Sequence, residues 1–328
     1  MAHILTITMN PAIDVSTSVD QVRPTQKLRC AAARREPGGG GINVARVVGR
    51  LGSDVTALYT VGGAVGQLLR RLVDEESIRS VAIPVREETR EDFTALETAT
   101  GDQFRFVLSG PQLSGAEWQS CLDAFAAFRE EPDFIVASGS LPPGVPEDFY
   151  VRIAEIARRR GAPLALDASG APLKAALDHG VDLVKPNLAE LRALTGKPLA
   201  DQASWIAACE SLVAAGNAKV VALSLGHRGA LLVTQDGAWR AAPLPIRPAS
   251  TVGAGDSFLG AMVWALASGR SLEDAFRHGV AGGSAALLAP GTGLCHATDL
   301  RELLERVVVE AVALPPLPQE AQTAPGPA

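Results

Sequence analysis

The chain has 328 residues, 47% of them hydrophobic and 20% charged, with a formal net charge of −6. That length buries a sizeable core as one large domain, and the acidic balance argues against non-specific nucleic-acid binding. The four cysteines (Cys30, Cys121, Cys209 and Cys295) form no CxxC and, with five scattered histidines, no zinc or disulfide pattern.

Met1-Ala-His3 leads straight into a strand-like Ile4–Thr8, with no basic n-region and no long apolar h-region. A cytoplasmic protein without a signal peptide is therefore expected. No stretch approaches the ~20 apolar residues of a membrane span, so no membrane partner is expected. Ala12–Val19 and Lys27–Arg35 read as an antiparallel strand pair, and Ile42–Leu51 as a helix after four glycines. A strand at Val55–Thr60 and a helix at Gly66–Glu75 follow. Arg90–Thr98 and Gln103–Leu108 flank Gly101-Asp102, a hairpin signal.

From there the pattern alternates. Helices are expected at Gly115–Phe128, Glu147–Arg160, Leu188–Thr195 and Ala203–Ala215. Short apolar strands are expected at Phe134–Ser138, Leu164–Asp167, Leu183–Lys185 and Val220–Ser224. Such runs suit a mostly parallel, doubly wound α/β sheet covered on both faces. Three helices close the pattern, Ala254–Ala267, Leu272–Leu288 and Thr298–Val312. Residues 1–313 thus read as one domain, and the Pro- and Ala-rich 314–328 as a disordered tail. Residues 12–35 and 90–108 have no helices of their own. They are expected to form a small β lid that closes over a ligand or pairs with a second subunit.

Two segments carry the chemistry. Thr251-Val-Gly253-Ala254-Gly255-Asp256 opens an apolar helix. Helix-start N–H groups stabilise developing negative charge, and Asp256 stands where it would take a proton from a hydroxyl. The pattern suggests phosphoryl transfer to an alcohol; a tight turn with a capping Asp gives the same residues. Pro37-Gly-Gly39-Gly40-Gly-Ile-Asn43 is neither a Walker A loop nor a GxGxxG fingerprint. Its polar, non-ionic character suits hydroxyls, with Asn43 as donor and acceptor, and a flexible linker is the plain alternative.

Asp14 reads as a sugar-hydroxyl acceptor or a solvated strand residue. Asn187 and Glu190, three apart after Lys185-Pro186, either hold Mg²⁺ through water or cap a helix. Lys185 reaches a nucleotide phosphate or a neighbouring carboxylate. Ser224-Leu-Gly226-His-Arg-Gly229 is a glycine turn at a strand's carboxyl end, where open α/β sheets bind ligands. Lys27, Arg29, Arg90 and Arg105 concentrate positive charge in the lid.

These motifs resemble the ribokinase-like sugar kinases of the PfkB family, from Thr6 to about Leu304. Pro37–Ala45, Asn187-Leu-Ala-Glu190 and Ser250–Gly260 match its signatures. Within the family the chain is most similar to the minor, non-Walker 6-phosphofructokinases, through Lys27-Leu-Arg-Cys30, Ser138-Gly-Ser-Leu-Pro-Pro-Gly144 and Val184-Lys-Pro-Asn187.

The resemblance implies ATP-dependent phosphorylation of fructose 6-phosphate at C1, or of tagatose 6-phosphate or fructose 1-phosphate. It implies Asp256 as base and the amides of Ala254, Gly255 and Asp256, after Gly253, as anion hole. Asp14, Gly39, Gly40 and Asn43 would hold the sugar, with Lys27, Arg90 and Ser140 near its phosphate. ATP would lie on Lys185, Asn187, Ser224, Gly226, Gly229 and Ser284, and Glu190 would organise Mg²⁺. Carbonyls at Ser250, Val252 and Gly291 would hold a monovalent cation such as K⁺. Many relatives carry Asp where this chain has Ser250, and Arg is expected where it has Gly293. The family also implies a homodimer joined through the lids. A non-catalytic sugar-phosphate-binding protein is the alternative of a different class.

Overall fold

The structure, a computed structural model, describes residues 2–312. The chain begins β1 (His3–Thr8), β2 (Ala12–Val19), β3 (Arg34–Gly38), α1 (Gly40–Arg50), β4 (Asp54–Val61), α2 (Gly63–Glu75) and β5 (Arg79–Pro84). Next come β6 (Arg90–Glu97), β7 (Gln103–Phe106), α3 (Gly115–Ala126), β8 (Phe134–Ser138), α4 (Phe149–Arg159), β9 (Leu164–Asp167) and α5 (Gly170–His179). Then follow β10 (Val181–Val184), α6 (Leu188–Thr195), α7 (Gln202–Ala214), β11 (Ala218–Ser224), β12 (Ala230–Thr234) and β13 (Gly237–Ala241). The last elements are α8 (Ala254–Ala267), α9 (Leu272–Ala286), α10 (Ala297–Leu304) and β14 (Val309–Val312).

Ten strands form one sheet in the order β14-β13-β12-β11-β10-β9-β8-β1-β4-β5. From β11 through β5 the neighbours are parallel, and β12, β13 and β14 add an antiparallel edge. Alternate β1 residues enter opposite cores: Leu5 and Ile7 pack with α3 to α7, Ile4 with α1, α2 and α8 to α10. Covering both faces is what lets β1 be buried at every position. From β1 the chain goes to β4 on one side and returns through β8 on the other. The crevice at the carboxyl ends of such a reversal is where open α/β sheets place their ligands.

The second sheet has the order β3-β2-β6-β7. Its outer pairs are antiparallel, while the β2–β6 join is parallel. The strand expected at Lys27–Arg35 starts only at Arg34; residues 21–33 have no regular structure and are mostly exposed. The helix expected to run from Thr298 to Val312 stops at Leu304. The β-branched run that follows instead pairs with β13 as edge strand β14. The tail expected to be disordered lies outside the described residues. Among the described residues no helix is long and apolar enough to cross a membrane.

Candidate active site

A cavity of about 250 Å³ opens between the lid, the carboxyl ends of β8 and β9 and the first turn of α6. Its floor is the start of α8. Gly253 caps that helix with φ 74°, a left-handed conformation, and no side chain caps it. A Cβ there would overlap Leu294. The first N–H groups of α8 therefore stand without intrahelical partners beside the cavity. Asp256 lies in this first turn and lines the cavity. Burial, with Asp167 nearby, raises its carboxyl pKa to about 6, against the Asn43 hydrogen bond and Lys185.

Asn43 comes from α1, whose start the glycine loop supplies. Its Nδ2 donates to Asp256 Oδ2 at 2.9 Å. A Cβ at Gly40 would overlap Ser138 Oγ, so only glycine lets α1 start this close to β8. The helix follows without a linker, and Gly39, Gly40 and Asn43 all line the cavity. Asp14 of β2 reaches in from the lid and accepts from Thr292 Oγ1 at 2.9 Å. Burial raises its pKa to about 6, opposed by that hydrogen bond. It is not a solvated strand carboxylate.

Lys185, just past β10, is buried, with Nζ 3.0 Å from Asp167 Oδ2. Burial pulls the ammonium pKa down, but Asp167 outweighs this and the net shift is upward. Asn187 and Glu190 form a reciprocal capping box on α6. Asn187 Oδ1 accepts from the Glu190 N–H at 2.9 Å, and Glu190 Oε2 accepts from the Asn187 N–H at 2.8 Å. The capping role is thus realised, yet Glu190 also lines the cavity, and burial raises its pKa. Asp167 and Glu190 present carboxylate oxygens to this space, donors that suit Mg²⁺ bound through its water shell.

Arg90 and Arg105 line the lid side of the cavity, and Ser140 the β8 side. Arg90 pairs with Asp92 at 3.1 Å and donates to the carbonyls of Leu108 (2.6 Å) and Asn10 (3.0 Å), while its buried Nε has no partner. Ser140 Oγ accepts from Asn10 Nδ2 at 3.1 Å. Lys27 and Arg29 are exposed and do not line the cavity. The strand expected over Lys27–Arg35 forms only from Arg34.

Asn187, Ser224, Gly226, Gly229 and Ser284 do not line this cavity either. Asn187 and Ser224 are joined by an isolated β-bridge, and the Gly226–Arg228 turn follows β11. Asn187, Ser224, Gly226 and Gly229 sit at the neighbouring ends of β10 and β11, whereas Ser284 lies in α9. Of the cation-loop residues, Val252 lines the cavity. The Ala249 N–H donates to the Leu287 carbonyl at 2.7 Å, drawing the 250–252 segment to the chain that follows α9 and leads to Gly291.

The sequence reading missed Asp167, Asp92, Arg46 and Thr292. Asp167 had a signal: a strand ending in a carboxylate at the sheet's carboxyl edge.

The sequence profile of pfkB family carbohydrate kinases matches residues 4–299. The chain belongs to this family. It is 46% identical over 303 residues to a Mycobacterium tuberculosis protein named ATP-dependent 6-phosphofructokinase isozyme 2, covering 92% of this chain and 89% of that one. A Xanthomonas campestris 1-phosphofructokinase is 37% identical over 266 residues, covering 80% and 83%. The crystal structure of Escherichia coli phosphofructokinase-2 in complex with potassium superposes with a TM-score of 0.89 at 39% identity, covering 93% and 99%. The ribokinase-like fold and the sugar-kinase class expected from the motifs are those of these relatives.

Proposed function

We propose that the chain is an ATP-dependent 6-phosphofructokinase, transferring the γ-phosphoryl group to the C1 hydroxyl of fructose 6-phosphate. The observation that carries this reading is Asp256. It is a carboxylate of raised pKa in the first turn of a helix with no side-chain cap, oriented by Asn43 inside a cavity that arginines border.

Asp256 takes the C1 hydroxyl proton as the oxygen attacks phosphorus. The N–H groups of Ala254, Gly255 and Asp256 face the charge that develops on the transferred group. Asp14, Asn43 and the backbone at Gly39 and Gly40 orient the sugar, and Arg90, Arg105 and Ser140 meet its phosphate. ATP lies over the ends of β10 and β11, along Lys185, Asn187, Ser224, Gly226, Gly229 and Ser284. Glu190 and Asp167 would hold Mg²⁺ through water, and the ion would supply neutralisation of phosphoryl charge there. The carbonyls of Ser250, Val252 and Gly291 suit K⁺. A second reading, fructose 1-phosphate as acceptor, draws on the 1-phosphofructokinase relative. ADP release measured on both sugar phosphates decides between them: a higher kcat/KM on fructose 1-phosphate overturns the first.

Because the base acts ionised and its pKa is raised to about 6, kcat/KM should rise with pH through about 6 and level off above. A flat profile from pH 5 to 8 would remove Asp256 as the titrating base.

Arg90→Ala should raise KM for fructose 6-phosphate by roughly tenfold or more, the worth of one charge-assisted bond, and KM for ATP much less. Arg90 also braces the lid, so unphosphorylated fructose is the control. Equal losses on both sugars would mean a structural role only.

The lid leaves Phe93 and Phe106 facing each other across β6 and β7, ring centroids 6.2 Å apart, on an exposed face. Val107 and Leu108 beside them are 59% and 57% exposed. A second lid is the apolar cover such a face requires. Light scattering should find a dimer at micromolar concentration that Phe106→Glu splits. An active wild-type monomer would contradict this.

A further inference from the structure

Arg46 is the largest fully buried side chain among the described residues, 2% exposed in the middle of α1. A buried guanidinium keeps its charge and costs solvation, so its partners matter. Nε donates to Glu76 Oε1 at 2.7 Å, and Nη2 lies 2.7 Å from the same oxygen. Glu36 Oε1 is 3.8 Å away. Nη1 turns the other way and is shared among three oxygens: the carbonyls of Pro37 (3.1 Å) and Thr292 (3.3 Å) and Asn43 Oδ1 (3.4 Å). Arg50, one turn on, shares Glu76 and donates to the Gly293 carbonyl at 2.6 Å, but makes no bond to Asn43.

The two ends of the Asn43 amide thus face opposite chemistries. Arg46 is a donor without acceptor capacity, and ionised Asp256 an acceptor without a proton to give. Only one amide orientation satisfies both: Oδ1 towards Arg46 and Nδ2 towards Asp256. We propose that Arg46 is a positioning residue for the reaction, locking the Asn43 amide so that its N–H always points at the base and favours the ionised carboxylate.

Without Arg46 the amide is free to turn. Its oxygen then accepts from the protonated acid, so the proton-bound form of Asp256 gains a hydrogen bond that the locked amide denies it, while the ionised form keeps Nδ2 as donor. The other charges facing Asp256 are unchanged by this: Asp167 from β9, Lys185 after β10 and Asp14 from β2. Those facing Arg46 are Glu36, Glu76 and Arg50. The inference rests on Asp256 as the base.

The test is the acid limb of kcat/KM for fructose 6-phosphate. Arg46→Met should move it up by about one pH unit, a tenfold change in the proton equilibrium of the base. Activity should fall about tenfold more at the acid end than at pH 8.5. Because Met leaves Glu76 without its main cation, Arg46→Met/Glu76→Gln is read in parallel against Glu76→Gln alone, and should show the same displacement. Arg50→Met disturbs the same network and should leave the limb in place. In an Asn43→Ala background, Arg46→Met should shift nothing further, since the amide it orients is gone.

A limb unmoved by Arg46→Met and by the double variant overturns the proposal. So does an equal shift with Arg50→Met, or an undiminished one without Asn43. Near-normal kcat in Asp256→Asn would instead overturn the base assignment itself, a different result.

Discussion

Asp256→Asn should lower kcat by about 10²–10⁴-fold, the usual worth of a general base, while KM for both substrates changes little. The substitution is nearly isosteric. It leaves the α8 N–H groups, Lys185 and the arginines in place, so binding loses little. It removes only the atom that accepts the proton. Stability should move the other way. A carboxyl whose folded pKa is raised from 3.8 to about 6 holds its proton more tightly folded than unfolded. Its ionisation therefore works against folding above that range, by up to about 3 kcal/mol. The neutral amide escapes this cost at pH 8. A residue kept for the helix would behave oppositely, costing about 0.3–1 kcal/mol through lost favourable interaction with the helix start. Kinetics and urea unfolding on one preparation separate the two. Near-wild-type kcat with a lower unfolding midpoint would make Asp256 a helix residue only.

What sequence makes legible here follows the range of the interaction. The start of α8 at Ala254 and α6 at Leu188–Thr195 were written in neighbouring residues: glycine then an apolar run, Asn three before Glu. Both fall on those residues in the structure. The β12–β13 hairpin and β14 were not, because a strand at a sheet edge is decided by what lies beside it. The site divides likewise. Gly253, Asp256 and Asn43 belong to compact motifs. Arg46 and Thr292 acquire meaning only when segments 246 residues apart meet. Lys27 shows the reverse: a charge with a local motif that lies in the irregular, exposed segment 21–33 and does not line the cavity.

Lys185→Met should be the most destabilising single change at the site, by about 3–5 kcal/mol, the range for breaking a buried ion pair. Lys185 is 4% exposed and its ammonium lies 3.0 Å from Asp167. Methionine fills the aliphatic volume but leaves Asp167 without that partner, in the cavity that Glu190 and Asp256 share. Glu190 and Asp256, whose pKa values burial raises against the opposing Lys185 cation, lose that opposition and rise further. The sign follows: the folded variant binds protons more readily than the unfolded chain, and the penalty shrinks as pH falls through those raised values. The urea midpoint gap to wild type should thus be widest near pH 8 and narrow towards pH 5. Lys185→Met/Asp167→Asn, with the carboxylate neutralised, should recover much of the stability at pH 8. It should recover none of the activity, because the cation that faces Asp256 and the incoming phosphates is still missing. A constant gap across pH would assign the loss to packing around the aliphatic stem. Recovery of turnover in the double variant would show that Lys185 serves only to neutralise Asp167.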